Sequence, residues 1–255
     1  MRILLTNDDG CTSPGITLLA KALREAAHRV FMLAPDSDRS GVSHSISFFN
    51  GPRKLTEIEK DTWSCSGTPA DCVVLALLGG IPELKILDDD AGIPPDLIIS
   101  GINRGANVGT DLIYSGTAAA ARQGSLIGIP SLALSLVEGD TWHWETAVSF
   151  SVERLEEMRR FWKADTFVNV NIPNTAAAPA ALVPAFPSIR HYNDRIDPYE
   201  ASGGGRYCFA RTGKIGARPE KGSDWEALSR NHASMSAVFI HPVTLDEVRR
   251  GREKV

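Results

Sequence analysis

Apolar and polar positions fall into blocks along the chain, and the period changes from block to block. RILLTN, residues 2–7, is an apolar run of the length of a buried parallel strand. In SPGITLLAKALREAA, Ile16, Leu19, Ala20 and Leu23 recur at helical spacing, and Pro14 suits a first helical turn. RVFMLAP is a second strand, ended by Pro35. Strand, helix, strand predicts a right-handed βαβ start.

The alternation continues. PRKLTEI and TWSCSG predict a small hairpin or extended lip, and GTPADCVVLALLGG predicts a helix with Thr68 as N-cap, Pro69 in first position and Asp71 in the first turn. ELKILDDDAGIPP is a loop-rich connection in which Asp88, Asp89 and Asp90 read as a solvated turn. DLIIS is a strand opening onto a glycine-rich loop and an alanine-rich helix, IPSLALS a further strand, and WHWETAVSFSVERLEEMRRFW one long amphipathic helix. TFVNVNIP closes the regular pattern.

Past residue 175 the pattern changes to alanine- and proline-rich sequence. A pair of extended segments around a glycine turn follows, then a strand at SMSAVFIHP and a short terminal helix at TLDEVRRG. The expected fold class is therefore α/β: a doubly wound, mostly parallel sheet over residues 1–175, with a β-rich C-terminal extension over 176–255.

Composition narrows the function classes. The 255 residues are 43% hydrophobic and 23% charged, as in a globular protein with a substantial core. A formal net charge of −4 disfavours a nucleic acid polymer as ligand, which usually requires a basic excess. Neither a signal-peptide pattern nor an apolar run of membrane-spanning length is present, so no membrane partner is expected. The four cysteines are scattered without a CxxC pair, which fits a reducing cytoplasm.

The chemistry is concentrated where the first strand ends. Asp8 and Asp9 follow it directly, and Gly10 permits a sharp turn. In an open α/β sheet, ligands bind beyond the carboxyl ends of the strands. Two carboxylates about 4 Å apart repel by roughly 4 kcal/mol at a near-surface dielectric, so either one takes up a proton or a cation sits between them. Taken alone, the pair is read equally well as a helix cap or a metal site. Two further loops tip the balance, because each follows a strand on the same sheet edge. DRSGVSHS offers Ser40 and SGINRGANVG offers Asn103. Two carboxylates, a hydroxyl and an amide oxygen form an all-oxygen set suited to Mg²⁺ or Mn²⁺. In YSGTAAAA, Ser115 is a good N-cap, Gly116 admits close approach and Thr117 opens a helix. With Asn107, these residues make a candidate phosphate site. Neither a Walker loop nor a GxGxxG fingerprint is present.

ILLTNDDG, PGI, SGVSHSIS, GTPADCV, SGIN with NVG after it, and YSGTAAAA occur in this order over roughly the first 135 residues. Together they resemble the SurE family, the stationary-phase survival proteins, which are metal-dependent nucleotidases. The resemblance implies a Rossmann-like fold and a divalent metal, Mg²⁺ or Mn²⁺, at Asp8, Asp9, Ser40 and Asn103. It implies a substrate phosphate among Asn107, Ser115, Gly116 and Thr117. On the hydrolase reading of these residues, Asp8 and Asp9 are the catalytic pair, either of them able to accept a proton from the attacking water. The implied substrates are nucleoside 5′- and 3′-monophosphates, with some activity on polyphosphate. It also implies a homodimer or homotetramer assembled through the C-terminal extension. Gln123 stands where the family commonly has glutamate.

Two rival readings use the same residues. A covalent aspartyl-phosphate phosphatase wants a lysine beside the phosphate, and none of the three loops has one. A non-catalytic nucleotide sensor would use the same metal and phosphate pocket without turnover. His44 reads as a surface-loop histidine, with assistance to a leaving group as the alternative. Trp142, Trp144, Phe161 and Trp162 read as core or interface. Tyr192, Tyr199 and Tyr207 are the aromatic candidates for a nucleobase contact.

Overall fold

The computed structural model describes residues 1–84, 92–218 and 220–242. The aspartate run at 88–90 and the helix expected over 244–251 lie outside the described residues. The chain runs β1 (Arg2–Thr6), α1 (Pro14–Glu25), β2 (Arg29–Pro35), β3 (Leu55–Glu59), β4 (Thr62–Cys65), α2 (Pro69–Leu75), β5 (Leu97–Arg104), α3 (Gly116–Leu126) and β6 (Ser131–Leu136). Then come α4 (Trp144–Glu153), α5 (Leu155–Phe161), β7 (Thr166–Ile172), β8 (Leu182–Pro184), β9 (Arg190–His191), β10 (Arg195–Glu200), β11 (Arg206–Arg211), β12 (Gly216–Ala217), α6 (Asp224–Ser229) and β13 (Ala233–Phe239).

A nine-stranded sheet in the order β3-β4-β2-β1-β5-β6-β7-β13-β8 forms the centre. The run β4-β2-β1-β5-β6-β7 is parallel. Counted in chain order, those six strands lie 3-2-1-4-5-6, the Rossmann order. The chain winds outward from β1 in one direction through β2 and β4, then crosses back to β5. The switch point therefore lies between β1 and β5, where a doubly wound sheet leaves a crevice for ligand.

Strand alternation builds two cores. Ile3 and Leu5 of β1 pack with Ile16, Leu19 and Leu23 of α1, Val148 of α4 and Met158 of α5. Leu4, pointing the other way, packs with Phe31, Cys72, Val73 and Ala120 beneath α2 and α3. Helices thus cover both faces, as the near-continuous apolar strands require. α2 begins with a reciprocal capping box, in which the Thr68 hydroxyl accepts from the Asp71 amide and the Asp71 carboxylate from the Thr68 amide. The same carboxylate accepts the amide and the hydroxyl of Ser47, so a fully buried Asp71 also fixes the loop after β2.

The structure departs from the sequence expectations in three places. The long helix is two, α4 and α5, broken at Arg154. Neither Pro nor Gly causes the break; the Ser151 hydroxyl donates to the Ala147 carbonyl (2.7 Å), a back-bond that bends helices. α6 was not anticipated, although Ser223 with Glu226 is a Ser-x-x-Glu start and the Ser223 hydroxyl does cap it. Past residue 175, β13 pairs antiparallel with β7 and β8 joins β13, so the late chain completes the main sheet. The glycine-turn pair forms the β10–β11 hairpin, whose large apolar side chains Ile196, Tyr199, Tyr207 and Phe209 are exposed. Among the described residues no helix is long and apolar enough to cross a membrane.

α1 sits against β5 at Gly15, where an added Cβ would lie 2.0 Å from the Ile102 carbonyl oxygen. Gly→Ala inside an unobstructed helix stabilises by about 1 kcal/mol. Here Gly15→Ala is expected to destabilise the fold by about 1–3 kcal/mol through overpacking. A urea unfolding midpoint equal to or above that of the parent chain would contradict this packing.

Candidate functional site

A pocket of about 240 Å³ opens beyond the carboxyl ends of β1 and β5, at the switch point. Asp8, Ser40, Asn103, Asn107 and Ser115 all line it. Five residues from three separate loops and a helix start therefore share one cavity. Asp9, Gly116 and Thr117 stand outside this lining and act on the residues that form it.

Asp8 is 4% exposed. The Thr117 hydroxyl donates to its Oδ1. Gly116 lies so close that a Cβ there would come within 2.9 Å of the Asp8 Cβ, so glycine is what lets the start of α3 approach β1. Burial raises the Asp8 pKa to about 6; the Thr117 hydroxyl and amide partly oppose this, and the charge of Asp9 adds to it. Burial also raises the Asp9 pKa, against the Arg104 amide that its Oδ2 accepts at 3.0 Å, and the charge of Asp38 raises it further. The sequence expectation assigned Thr117 to phosphate. In the structure its side chain is fully buried and its hydroxyl is committed to Asp8.

Each loop is stitched to the sheet edge. The Arg39 amide donates to the Asp8 carbonyl (2.7 Å), and the Ser43 amide donates to the Tyr114 carbonyl (3.0 Å), which seats the Ser40 loop between β1 and the start of α3. Ser40 donates its amide and its hydroxyl to Asp38 Oδ1, leaving the hydroxyl oxygen free to accept. A register shift against β6, between Ser100 and Asn103, re-aims the end of β5. Asn103 Nδ2 donates to the Gly105 carbonyl (2.8 Å), and its Oδ1 has no hydrogen-bond partner among the described residues. Ser115 Oγ accepts the Ala118 amide as the cap of α3, which leaves its hydroxyl proton available to the pocket.

A family model described as survival protein SurE matches residues 3–192. The 5′-nucleotidase SurE of Xanthomonas campestris pv. campestris strain B100 is 39% identical over 249 residues, covering 94% of this chain and 90% of that protein. The 5′-nucleotidase SurE of strain 8004 is 45% identical over 181 residues, covering 70% and 66%. The solved SurE protein from Aquifex aeolicus superposes with a TM-score of 0.82 at 32% identity, covering 99% of this chain and 98% of that one.

The chain belongs to the SurE family.

Three groups around this SurE pocket escaped the sequence reading. Arg104 lines it, with its guanidinium 5.0 Å from the centre of the Trp142 ring. Its signal was a single cation inside a glycine loop. Asn171 and Asn169 hold the Asn107 backbone: Asn171 Oδ1 accepts the Asn107 amide (2.7 Å), and both side chains donate to the Asn107 carbonyl (3.1 and 2.9 Å). Ser135 accepts from Asn107 Nδ2 (2.8 Å). The asparagines of TFVNVNIP, two apart on a buried strand, were that signal. Finally, the buried Asp224 of α6 accepts the Gly109 and Ser188 amides (2.8 and 2.9 Å), tying the late chain to the glycine loop.

The donor set suits a hard dication. Among the described residues no group of three or more His, Cys, Asp or Glu side chains forms a metal cluster. The available set is instead two carboxylates, both held above their usual pKa by burial, with neutral Ser and Asn oxygens beside them. Asp8, Asp111 and Glu138 line the pocket against the single cation Arg104. A phosphate dianion entering that field needs additional positive charge.

His44 is half-buried, and its Nε2 lies 2.9 Å from Gln123 Oε1 on α3. Burial lowers its pKa, opposed by the Gln123 hydrogen bond, and the nearby Arg122 lowers it further. A folded-state histidine pKa below the unfolded value means that the unfolded chain binds the proton first as pH falls. Stability from this group is therefore full above about pH 6.5 and declines as pH drops toward the folded pKa. His44→Gln is expected to flatten that part of the stability–pH curve, followed by denaturant unfolding between pH 7.5 and 5.5. An unchanged slope would exclude His44 as its source.

Proposed function

We propose that this SurE chain is a divalent-cation-dependent phosphomonoesterase, a 5′-nucleotidase that converts nucleoside monophosphates to nucleoside and phosphate. The observation that carries the reading is the convergence of Asp8, Ser40, Asn103, Asn107 and Ser115 on one pocket at the switch point of the sheet. Relatives named 5′-nucleotidase, aligned along most of the chain, support it. Asp8, Asp9, Ser40 and Asn103 would hold Mg²⁺ or Mn²⁺. When bound, the cation supplies phosphoryl polarisation and a water nucleophile at neutral pH.

The remaining work falls to the chain itself. The Ser115 hydroxyl and the uncommitted N–H of Asn107 Nδ2 donate to the phosphoryl oxygens, where charge develops during displacement. Arg104 attracts the dianion. Thr117 and Gly116 act one step back by fixing the Asp8 carboxylate, and the Arg104 amide does the same for Asp9. Asp9, the less buried of the two, accepts the proton that the attacking water gives up. We assign residues 1–175 as the catalytic unit. Within 176–255 we assign the β10–β11 hairpin, which exposes four large apolar side chains, to assembly into a homodimer or homotetramer, while α6 braces the glycine loop of the site.

Phosphate release is to be measured from a panel of nucleoside 5′- and 3′-monophosphates and short polyphosphate, with EDTA and with Mn²⁺ or Mg²⁺ restored. The expected result is release from the 5′-monophosphates that EDTA abolishes and the cation restores. Asp9→Asn is expected to lower turnover by about 100-fold or more, with the circular dichroism spectrum unchanged. Release indifferent to EDTA would sink the cation, and tight nucleotide binding without release would identify a sensor instead.

A further inference from the structure

A second pocket, of about 500 Å³, abuts the first; Ala106 and Glu138 line both. Its walls are the side chains of Val108, Val137, Ile215 and Leu228 and the indole of Trp225. That volume lies in the range of small-molecule sites, about 300–1,000 Å³, and mostly apolar walls with a few placed polar groups are typical of them.

Arg190 joins the two cavities. Its guanidinium pairs with Asp111, a residue of the first pocket, at 2.8 Å. It also lies over the Trp225 ring, 5.0 Å from the centroid, in the second. The side chain is 8% exposed, yet its Nε is buried without a hydrogen-bond acceptor among the described residues.

We propose that this second pocket is the base subsite of the substrate, a reading that rests on the nucleotidase assignment above. The phosphate of a nucleoside monophosphate held at Ser115 places its sugar at the junction the two pockets share. There the Glu138 carboxylate is suited to accept from ribose hydroxyls, as acidic residues do in dinucleotide sites. The base continues into the second pocket. A flat heteroaromatic ring matches the indole and the apolar walls. The three tyrosines singled out in the sequence are elsewhere: the Tyr192 hydroxyl is bonded to Asp111, and Tyr199 and Tyr207 are on the exposed hairpin.

The test uses the full chain and two ligands. Binding of adenosine, which carries a base and no phosphate, is measured by calorimetry with ribose as the control. Steady-state kcat/KM is measured for AMP and for ribose 5-phosphate. Removing an aromatic contact to a base costs about tenfold in affinity. Trp225→Ala is expected to weaken adenosine by that factor and to lower the AMP to ribose 5-phosphate ratio of kcat/KM similarly, through KM. Trp225→Phe should restore most of both. The subsite is overturned if wild-type chain binds adenosine no better than ribose, or if Trp225→Ala leaves adenosine binding and the kcat/KM ratio where they were. Phosphate release from neither substrate would instead remove the nucleotidase assignment, and the adenosine titration would still decide the subsite.

Discussion

The site depends on two carboxylates standing side by side where one buried strand stops. Neither can be placed there cheaply, and the surrounding structure is arranged around that cost. Asp8 is wedged beneath the first turn of α3, where only a glycine fits at 116 and the Thr117 hydroxyl takes up one of its oxygens. Asp9 is held by a backbone amide at the end of the neighbouring strand β5. The pair thus ties together β1, β5 and α3, the three elements that meet at the switch point. Moving any one of them would misplace the carboxylates.

The glycine loop after β5 has little regular structure of its own, so its shape must come from elsewhere. Buried polar groups on neighbouring elements supply it. Asn171 and Asn169 of β7 and Ser135 of β6 bond to Asn107, and Asp224 of α6 takes the Gly109 amide. Polar residues inside a parallel sheet are costly unless every group finds a partner. Here Asn169 Oδ1 is left without a partner among the described residues, but the remaining groups hold the loop at several points, so that it carries a site on a rigid scaffold. It also links the late chain to the early one, since α6 follows the hairpin and grips a loop more than a hundred residues upstream.

The architecture was legible because it is written in local periods. RILLT, RVFMLAP and DLIIS are short apolar runs followed by turn chemistry, and the helix between the first two carries its stripe at helical spacing. The break at Arg154 was not legible, because the sequence there has no proline or glycine to mark it. α6 carried a start signal but was too short to show a period. At the site, residue types at strand ends were enough to single out Asp8, Ser40, Asn103, Asn107 and Ser115, which share the pocket. The part played by Thr117 was hidden. A hydroxyl at a helix start serves an incoming anion or a neighbouring carboxylate equally well, and only the packing of α3 against β1 brings it to Asp8. The asparagines of β7 were hidden for a similar reason: in sequence they are two polar residues in a strand, and their partner lies some sixty residues away.

The charge inventory of the pocket separates the chemical readings. Three carboxylates and one guanidinium line it, and the second nearby guanidinium, Arg190, is already neutralised by Asp111. Any phosphoryl transfer here has to bring a dianion against these carboxylates with Arg104 as the lone lining counter-charge, and a covalent aspartyl-phosphate mechanism additionally wants a lysine, which none of the residues lining the pocket is. At separations near 4 Å each unscreened like-charge contact costs on the order of 4 kcal/mol. A dication held by Asp8, Asp9, Ser40 and Asn103, as proposed, would offset those repulsions. A cation there would also bring the raised Asp8 pKa down. On the proposed function, the acidic pair and the anion site would be parts of one arrangement: the carboxylates would hold the cation, and the cation would make the pocket attractive to phosphate.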